Sequence, residues 1–245
     1  MIPVRNAVAT RYPPVVTWTL IAVNCAVFLF QIGLSPLEQE WFVLRFALVP
    51  ARYFAPSVFG DELTVGDFLP FITMMFLHGG WLHLIFNMWT LWLFGGTVED
   101  RLGSGRFLAF YLACGLLAAL AHILFSPMSV VPTLGASGAI AGVLGGYVRM
   151  FPMARIVLLI PIVFVPFFFE VPAILYIGFW FMVQVMQGMT DLMSPSTGGG
   201  VAWWAHIGGF LAGLILGPLL QQGQRSYRTY YADEGQMGFD PWGRR

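Results

Sequence analysis

Long apolar runs separated by short polar breaks dominate the chain. The runs fall at 15–34, 81–98, 107–125, 137–150, 171–188 and 201–220. A helix that crosses a bilayer needs about 20 apolar residues to span a hydrocarbon core roughly 30 Å thick. The pattern therefore predicts an all-α membrane protein of six transmembrane helices with a long first outer loop. A further apolar stretch, 156–169, is short and interrupted by Pro161 and Pro166, and reads as a loop dipping into the interface. The 34–77 connection holds an amphipathic stretch, 41–54, of the kind that lies on a membrane surface. The expected organisation is a cytoplasmic N-terminus over 1–14, one membrane domain over 15–220 and a polar cytoplasmic tail over 221–245. The first run follows two arginines but lacks a small-residue cleavage site, so it reads as a retained helix.

Composition supports lipid as the solvent. Of the 245 residues, 58% are hydrophobic and 10% charged, whereas soluble domains carry about 25% charged residues. Net charge is zero, so the basic field of a nucleic-acid binder is missing. Cys25 and Cys114 sit inside apolar runs and read as small buried hydrophobes, not a disulfide framework. With six crossings and an inner N-terminus, Arg5, Arg11, Arg101, Arg106, Arg149, Arg155, Arg225, Arg228, Arg244 and Arg245 fall inside. Arg45 and Arg52 fall outside. This asymmetry sets the orientation, here that of a bacterial-type inner membrane with both termini cytoplasmic.

Polar side chains within spans are costly and mark interior faces or wet cavities. They are Asn24, His83, Asn87, Thr90, His122, Ser137, Gln184, Gln187 and His206. No Asp, Glu or Arg lies deep in a span, which disfavours a proton-coupled pump. The second, fourth and sixth spans all begin on the outer side, so His83, Asn87, Ser137 and His206 come to similar depth. His83 and Asn87 are four apart and share a helix face. The span at 137–150 covers only about 21 Å at 1.5 Å per residue, which places Ser137 below the membrane surface behind the loop 132–136. Gly138, Gly142 and Gly146 stripe this span, and Ala205, Gly209, Gly213 and Gly217 stripe the sixth. Small residues at this spacing let helix backbones touch, which can bring Ser137 and His206 within hydrogen-bond reach.

A hydroxyl beside an imidazole is a nucleophile–base arrangement for acyl transfer. No acid is placed to orient the imidazole, so a dyad is expected. The oxyanion that forms needs donors. His83 and Asn87 supply side-chain N–H groups, and the Ser137 backbone N–H, free at a helix start, supplies another.

The run Gly135-Ala136-Ser137-Gly138 resembles the nucleophile motif of the rhomboid family. Ala205-His206-Ile207-Gly208-Gly209 resembles its second catalytic motif. The string from His78 through His83 and Asn87 to Met88 resembles its third, and Gly95-Gly96-Thr97-Val98-Glu99 with Arg101 and Gly103 is similar to its following segment. The resemblance covers about 76–217. It implies a six-helix rhomboid-like bundle and a serine endopeptidase that cleaves transmembrane segments of single-pass or multi-pass membrane proteins. It implies Ser137 as nucleophile and His206 as general base. It implies His83, Asn87 and the Ser137 amide as the oxyanion hole, and no cofactor; no third ligand stands beside His78 and His83, so no metal is expected. The alternative is a catalytically inactive relative that binds membrane clients; such relatives typically lose the Ser or the His, and both stand here.

Two positions depart from the family pattern. Leu69-Pro70 stands where Trp-Arg is frequent, and Ala141 stands where an aromatic residue often packs on the imidazole. Read singly, Asn24, Gln184 and Gln187 are interhelical glue, His122 is structural or interfacial, and His78 holds the loop before its helix. Glu99 and Arg101 stabilise a helix end. The fifth span with the loop 189–200, containing Gly198, Gly199 and Gly200, is expected to act as a gate.

Overall fold

The computed structural model describes residues 2–55, 63–162, 165–193 and 201–221. Its long helices are α1 (Val15–Gly33), α2 (Pro36–Phe46), α3 (Trp81–Leu102), α4 (Ser104–Phe125), α5 (Ser137–Met150), α6 (Ala173–Met193) and α7 (Trp203–Leu220). Each of the six apolar runs is helical over most of its length, the first two residues of the fifth belonging instead to a strand. Among the described residues, four helices (α1, α4, α6 and α7) are long and apolar enough to cross a membrane. A fifth crossing is reached when α3 is taken with the run of helical turns at Val65–Phe76, which meets it at 77°. At 14 residues, α5 rises only about 21 Å, less than the roughly 30 Å hydrocarbon core. The glycines of the expected gate, Gly198, Gly199 and Gly200, and all of the tail beyond 221 lie outside the described residues.

The middle of the bundle is α5, buried without a break from Gly138 to Val148. The glycine stripes explain how so short a helix is enclosed. A methyl group on Gly209 would overlap the Gly138 carbonyl, and one on Gly213 the Gly142 carbonyl. The α5 and α7 backbones are thus in direct contact, as small-residue interfaces in lipid allow. On its other side α5 packs on α4, where Gly138 faces Ala118 and Gly142 faces Cys114. Around this core, Trp92, Leu124, Phe179, Leu211 and Leu219 are exposed, as suits a surface solvated by lipid.

The stretch 156–169 is not a loop. It forms most of an antiparallel hairpin of β2 (Arg155–Ile162) and β3 (Val165–Pro172), joined at its edge by β1 (Ile2–Asn6) in the order β1-β2-β3. Its Ile, Val, Leu and Phe residues suit a pleated surface. Pro161 and Pro166 stand opposite each other, one pair from the ladder's end. Residues 2–6 are therefore tied down. Besides the strand pairing, the Asn6 amide donates to the Leu93 carbonyl, and the Trp89 indole donates to the Pro3 carbonyl at 2.7 Å. The reading of the hairpin as loop failed because periodicity is hidden where both faces of a strand are apolar.

The long connection after α1 is also more structured than a surface segment. Ser35 and Glu38 form a capping box that starts α2. After it, Ala47, Leu48, Val49 and Ala51 are buried, and Leu48 exchanges backbone hydrogen bonds with Thr133 at 2.9 and 2.7 Å. The amphipathic stretch over 41–54, expected on the surface, is therefore interrupted in its middle, where the chain dives to hold the loop that precedes Ser137. The Leu69-Pro70 departure is absorbed without a break, because Pro70 begins a helical turn, where its missing N–H leaves no bond unmade. Just before it, the Thr64 hydroxyl and N–H donate to Asp67 at 2.7 and 2.8 Å. These bonds, with Arg52 and Arg45 nearby, hold the Asp67 carboxyl below the usual range.

Candidate active site

Ser137 is the first residue of α5, and His206 lies in the first turn of α7. The glycine contact between the two helices sets their separation. The His206 Nε2 and Ser137 Oγ atoms are 2.8 Å apart. His206 is buried and Ser137 half-buried, so the pair sits at the edge of the packed interior. Two residues expected together from the sequence are therefore brought together.

The imidazole has a third partner that the sequence reading assigned to glue. Gln184 of α6 places its Oε1 atom 2.7 Å from His206 Nδ1. Its amide nitrogen donates to the Trp180 carbonyl at 3.1 Å, which fixes which end of the amide faces the ring. An amide oxygen only accepts, so Nδ1 carries the proton and Nε2 is left as the acceptor for the Ser137 hydroxyl. The aromatic contact missing at Ala141 is supplied from elsewhere. Trp180 lies with its ring centroid 5.9 Å from that of His206, and Trp203 lies edge-on at 6.3 Å. The only sequence signal for Gln184 was a buried amide in an apolar span, a residue type equally at home between any two helices.

His83 and Asn87 lie in the first two turns of α3 and face the loop before Ser137. Gly135 in that loop has φ +124°, a conformation that favours glycine. A methyl group there would sit 2.7 Å from His83 Nε2 and 3.6 Å from Asn87 Nδ2. Glycine is thus needed both for the turn and for the space between the loop and these two side chains. The His83 Nδ1 atom accepts from the Gly79 N–H at 3.5 Å, which leaves Nε2 as the protonated nitrogen toward Gly135.

His78 belongs to this cluster, not to the loop alone. It is fully buried, and its Nε2 atom is 3.0 Å from Asn87 Nδ2. Its own carbonyl accepts from the Gln31 amide at 3.0 Å. One Asn87 N–H is thereby used in holding the side chain and the second remains. His122 gains the partner the sequence did not offer: its Nε2 atom is 2.8 Å from Thr133 Oγ1. Thr133, Leu48 and the Gly135 N–H, which donates to the Met74 carbonyl at 2.8 Å, pin the loop ahead of Ser137. Glu99 lies at the far end of α3 and takes no part in the site.

A bundle of apolar helices, four of them long and apolar enough to cross a membrane, with a Ser–His contact at the edge of its interior, defines a multi-pass membrane protein. Residues 65–223 match the Rhomboid domain, and the chain belongs to the rhomboid family. It is 28% identical over 211 residues to Rhomboid protein 1, mitochondrial, of Saccharomyces cerevisiae, covering 84% of this chain and 53% of that protein. It is 48% identical over 80 residues to the rhomboid protease GluP of Bacillus subtilis, 33% of this chain and 15% of that protein. It is 26% identical over 203 residues to the mitochondrial presenilin-associated rhomboid-like protein of Bos taurus, 80% of this chain and 46% of that protein. The chain thus spans about half the length, or less, of these relatives. Two of the three are mitochondrial, so the comparisons support a multi-pass membrane location and lend no support to a bacterial-type inner membrane in particular.

Proposed function

We propose that this protein is an intramembrane serine endopeptidase that cleaves transmembrane segments of other membrane proteins. The observation that carries the reading is the 2.8 Å contact between Ser137 Oγ and His206 Nε2. Ser137 attacks the scissile carbonyl carbon as its proton passes to His206 Nε2. The carbonyl oxygen becomes an oxyanion, stabilised by the His83 Nε2–H, the free Asn87 N–H and the Ser137 backbone N–H. Collapse of the tetrahedral intermediate breaks the C–N bond, and the imidazolium gives its proton to the leaving amine. Water then hydrolyses the acyl-enzyme by the same path, with His206 as base. No step draws on a metal or cofactor.

The reading includes six crossings within 15–220, with α5 as a short one whose start lies beneath the outer surface. Membership of the rhomboid family supports it, as does a relative named a rhomboid protease. The alternative of an inactive client-binding relative leaves the Ser–His contact without a purpose. The test is cleavage of a single-pass reporter by the purified protein in liposomes. Wild type should cleave, and Ser137→Ala and His206→Ala should not. Cleavage undiminished in both variants would refute the assignment.

A further inference from the structure

Resting on that reading, we propose that Gln184 is a positioning residue that holds His206 in its reactive tautomer, making the site a Ser137–His206–Gln184 relay spread over three helices. The geometry leaves the amide little choice. Its nitrogen is used on the Trp180 carbonyl, its oxygen meets Nδ1 at 2.7 Å, and both Gln184 and His206 are buried. Water is therefore not on hand to take over the bond.

Fixing Nδ1–H has two consequences. In the resting state it reserves Nε2 as an acceptor, which is the nitrogen 2.8 Å from Ser137. When Nε2 takes the proton the ring becomes a cation, and its Nδ1–H bond to the amide oxygen strengthens. The interaction is thus greater in the transition state than in the ground state, which is the condition for acting on kcat rather than on binding. A neutral amide suits this place. An unpaired carboxylate within a span would carry a heavy desolvation penalty, and among the described residues none reaches the imidazole.

Gln184 belongs to neither helix that bears the reacting groups. Helix α6 is otherwise held by a thin seam, with Ala173, Ile177, Gln184 and Gly188 its buried residues. Beside it opens a crevice lined by Ile174 and Gly178 of α6 and by Val148, Arg149 and Leu214 opposite, bounded where Phe181 stacks on Phe210 of α7 at 4.2 Å between ring centroids. Trp180 and Gln184 together are the contact by which α6 reaches the imidazole, one through its ring and the other through its amide.

The experiment measures labelling of Ser137 by a fluorophosphonate probe in liposome-reconstituted full-length protein, with saturation kinetics and a pH profile. Ser137→Ala is the control for the protease reading. Gln184→Leu should lower the maximal labelling rate about 10- to 100-fold, the worth of one hydrogen bond to a group that becomes charged, with the probe's half-saturation concentration unchanged. Gln184→Glu keeps the acceptor. It should restore most of the rate and move the acidic limb of the profile to higher pH, because a carboxylate favours the imidazolium. A merely structural glutamine predicts equal losses in both variants and no movement of the profile, and that result would overturn the proposal. So would a Gln184→Leu rate within about twofold of wild type. Failure of wild type to label, or labelling of Ser137→Ala, would overturn the protease reading instead.

Discussion

Where α3 ends, one carboxylate, Glu99, is buried beneath the start of α1 and accepts from the Val16 and Thr17 backbone N–H groups and from the Thr17 and Ser104 hydroxyls, all within 2.9 Å. Where α3 begins, about 27 Å away at 1.5 Å per residue, the buried polar groups are neutral and lightly bonded. Ser137, His206 and Gln184 share two contacts in series, and Asn87 keeps an N–H in reserve. The difference separates two uses of a buried polar side chain. The carboxylate is saturated: it caps the N-terminus of α1, where the helix dipole and free N–H groups favour a negative charge, and has little capacity left for a substrate. The Ser–His end is under-saturated, and that spare capacity is what a reaction would use. Asp100 adds to the first end, accepting from the Arg11 and Tyr12 N–H groups ahead of α1.

Substitutions at the two ends should therefore fail differently. The largest effect belongs to Ser137→Ala, which should lower reporter cleavage by about 10^4-fold or more while leaving the unfolding midpoint in detergent unchanged. A marked loss of stability would show Ser137 to be a packing residue and erase the contrast. Glu99→Leu should do the reverse. Orphaning the α1 donors should destabilise the protein by about 3 kcal/mol, at about 1–3 kcal/mol per buried unpaired group, read as a lowered denaturation midpoint. The folded fraction should keep its Ser137 reactivity.

Asn87→Ala sharpens the comparison within the Ser–His end. Loss of one oxyanion donor should lower kcat by about 10^2-fold with KM unchanged, measured on the same reporter. A drop in stability without a drop in kcat would place Asn87 with His78 as scaffold only.

The smallest effect is at Asp67, in the connection between α1 and α3. Its carboxyl is held below the usual range first by the Thr64 hydroxyl and N–H and then by Arg52 and Arg45. A depressed folded value means that its stabilisation is present above the unfolded value of about 3.9 and is lost as pH falls through the folded one. Asp67→Asn should therefore show a slightly smaller fall in thermal midpoint than wild type on acidification below about pH 4. An identical acid response would show the cap to be energetically silent.

The sequence by itself determined the membrane class, the helix positions and the residues able to meet at one depth. An apolar run of given length has few stable fates in lipid, and a Ser or His there is conspicuous. The glycine stripes on α5 and α7 were equally legible, because only close approach makes four-residue glycine spacing useful. What only the tertiary structure decided are the partners that come from distant parts of the chain. Gln184 and Gln187 look alike in sequence, and the rotation of α6 chooses which of them meets Nδ1. His78 becomes a clamp because α1 brings Gln31 to its carbonyl, and His122 finds Thr133 only once the loop before α5 is folded. The β-hairpin was hidden because both of its faces are apolar, and β1 was hidden because five residues acquire a strand's identity only from the edge they join. Hydrophobic pattern is a local property of the chain, whereas a hydrogen-bond partner is a property of where two helices stop rotating against each other.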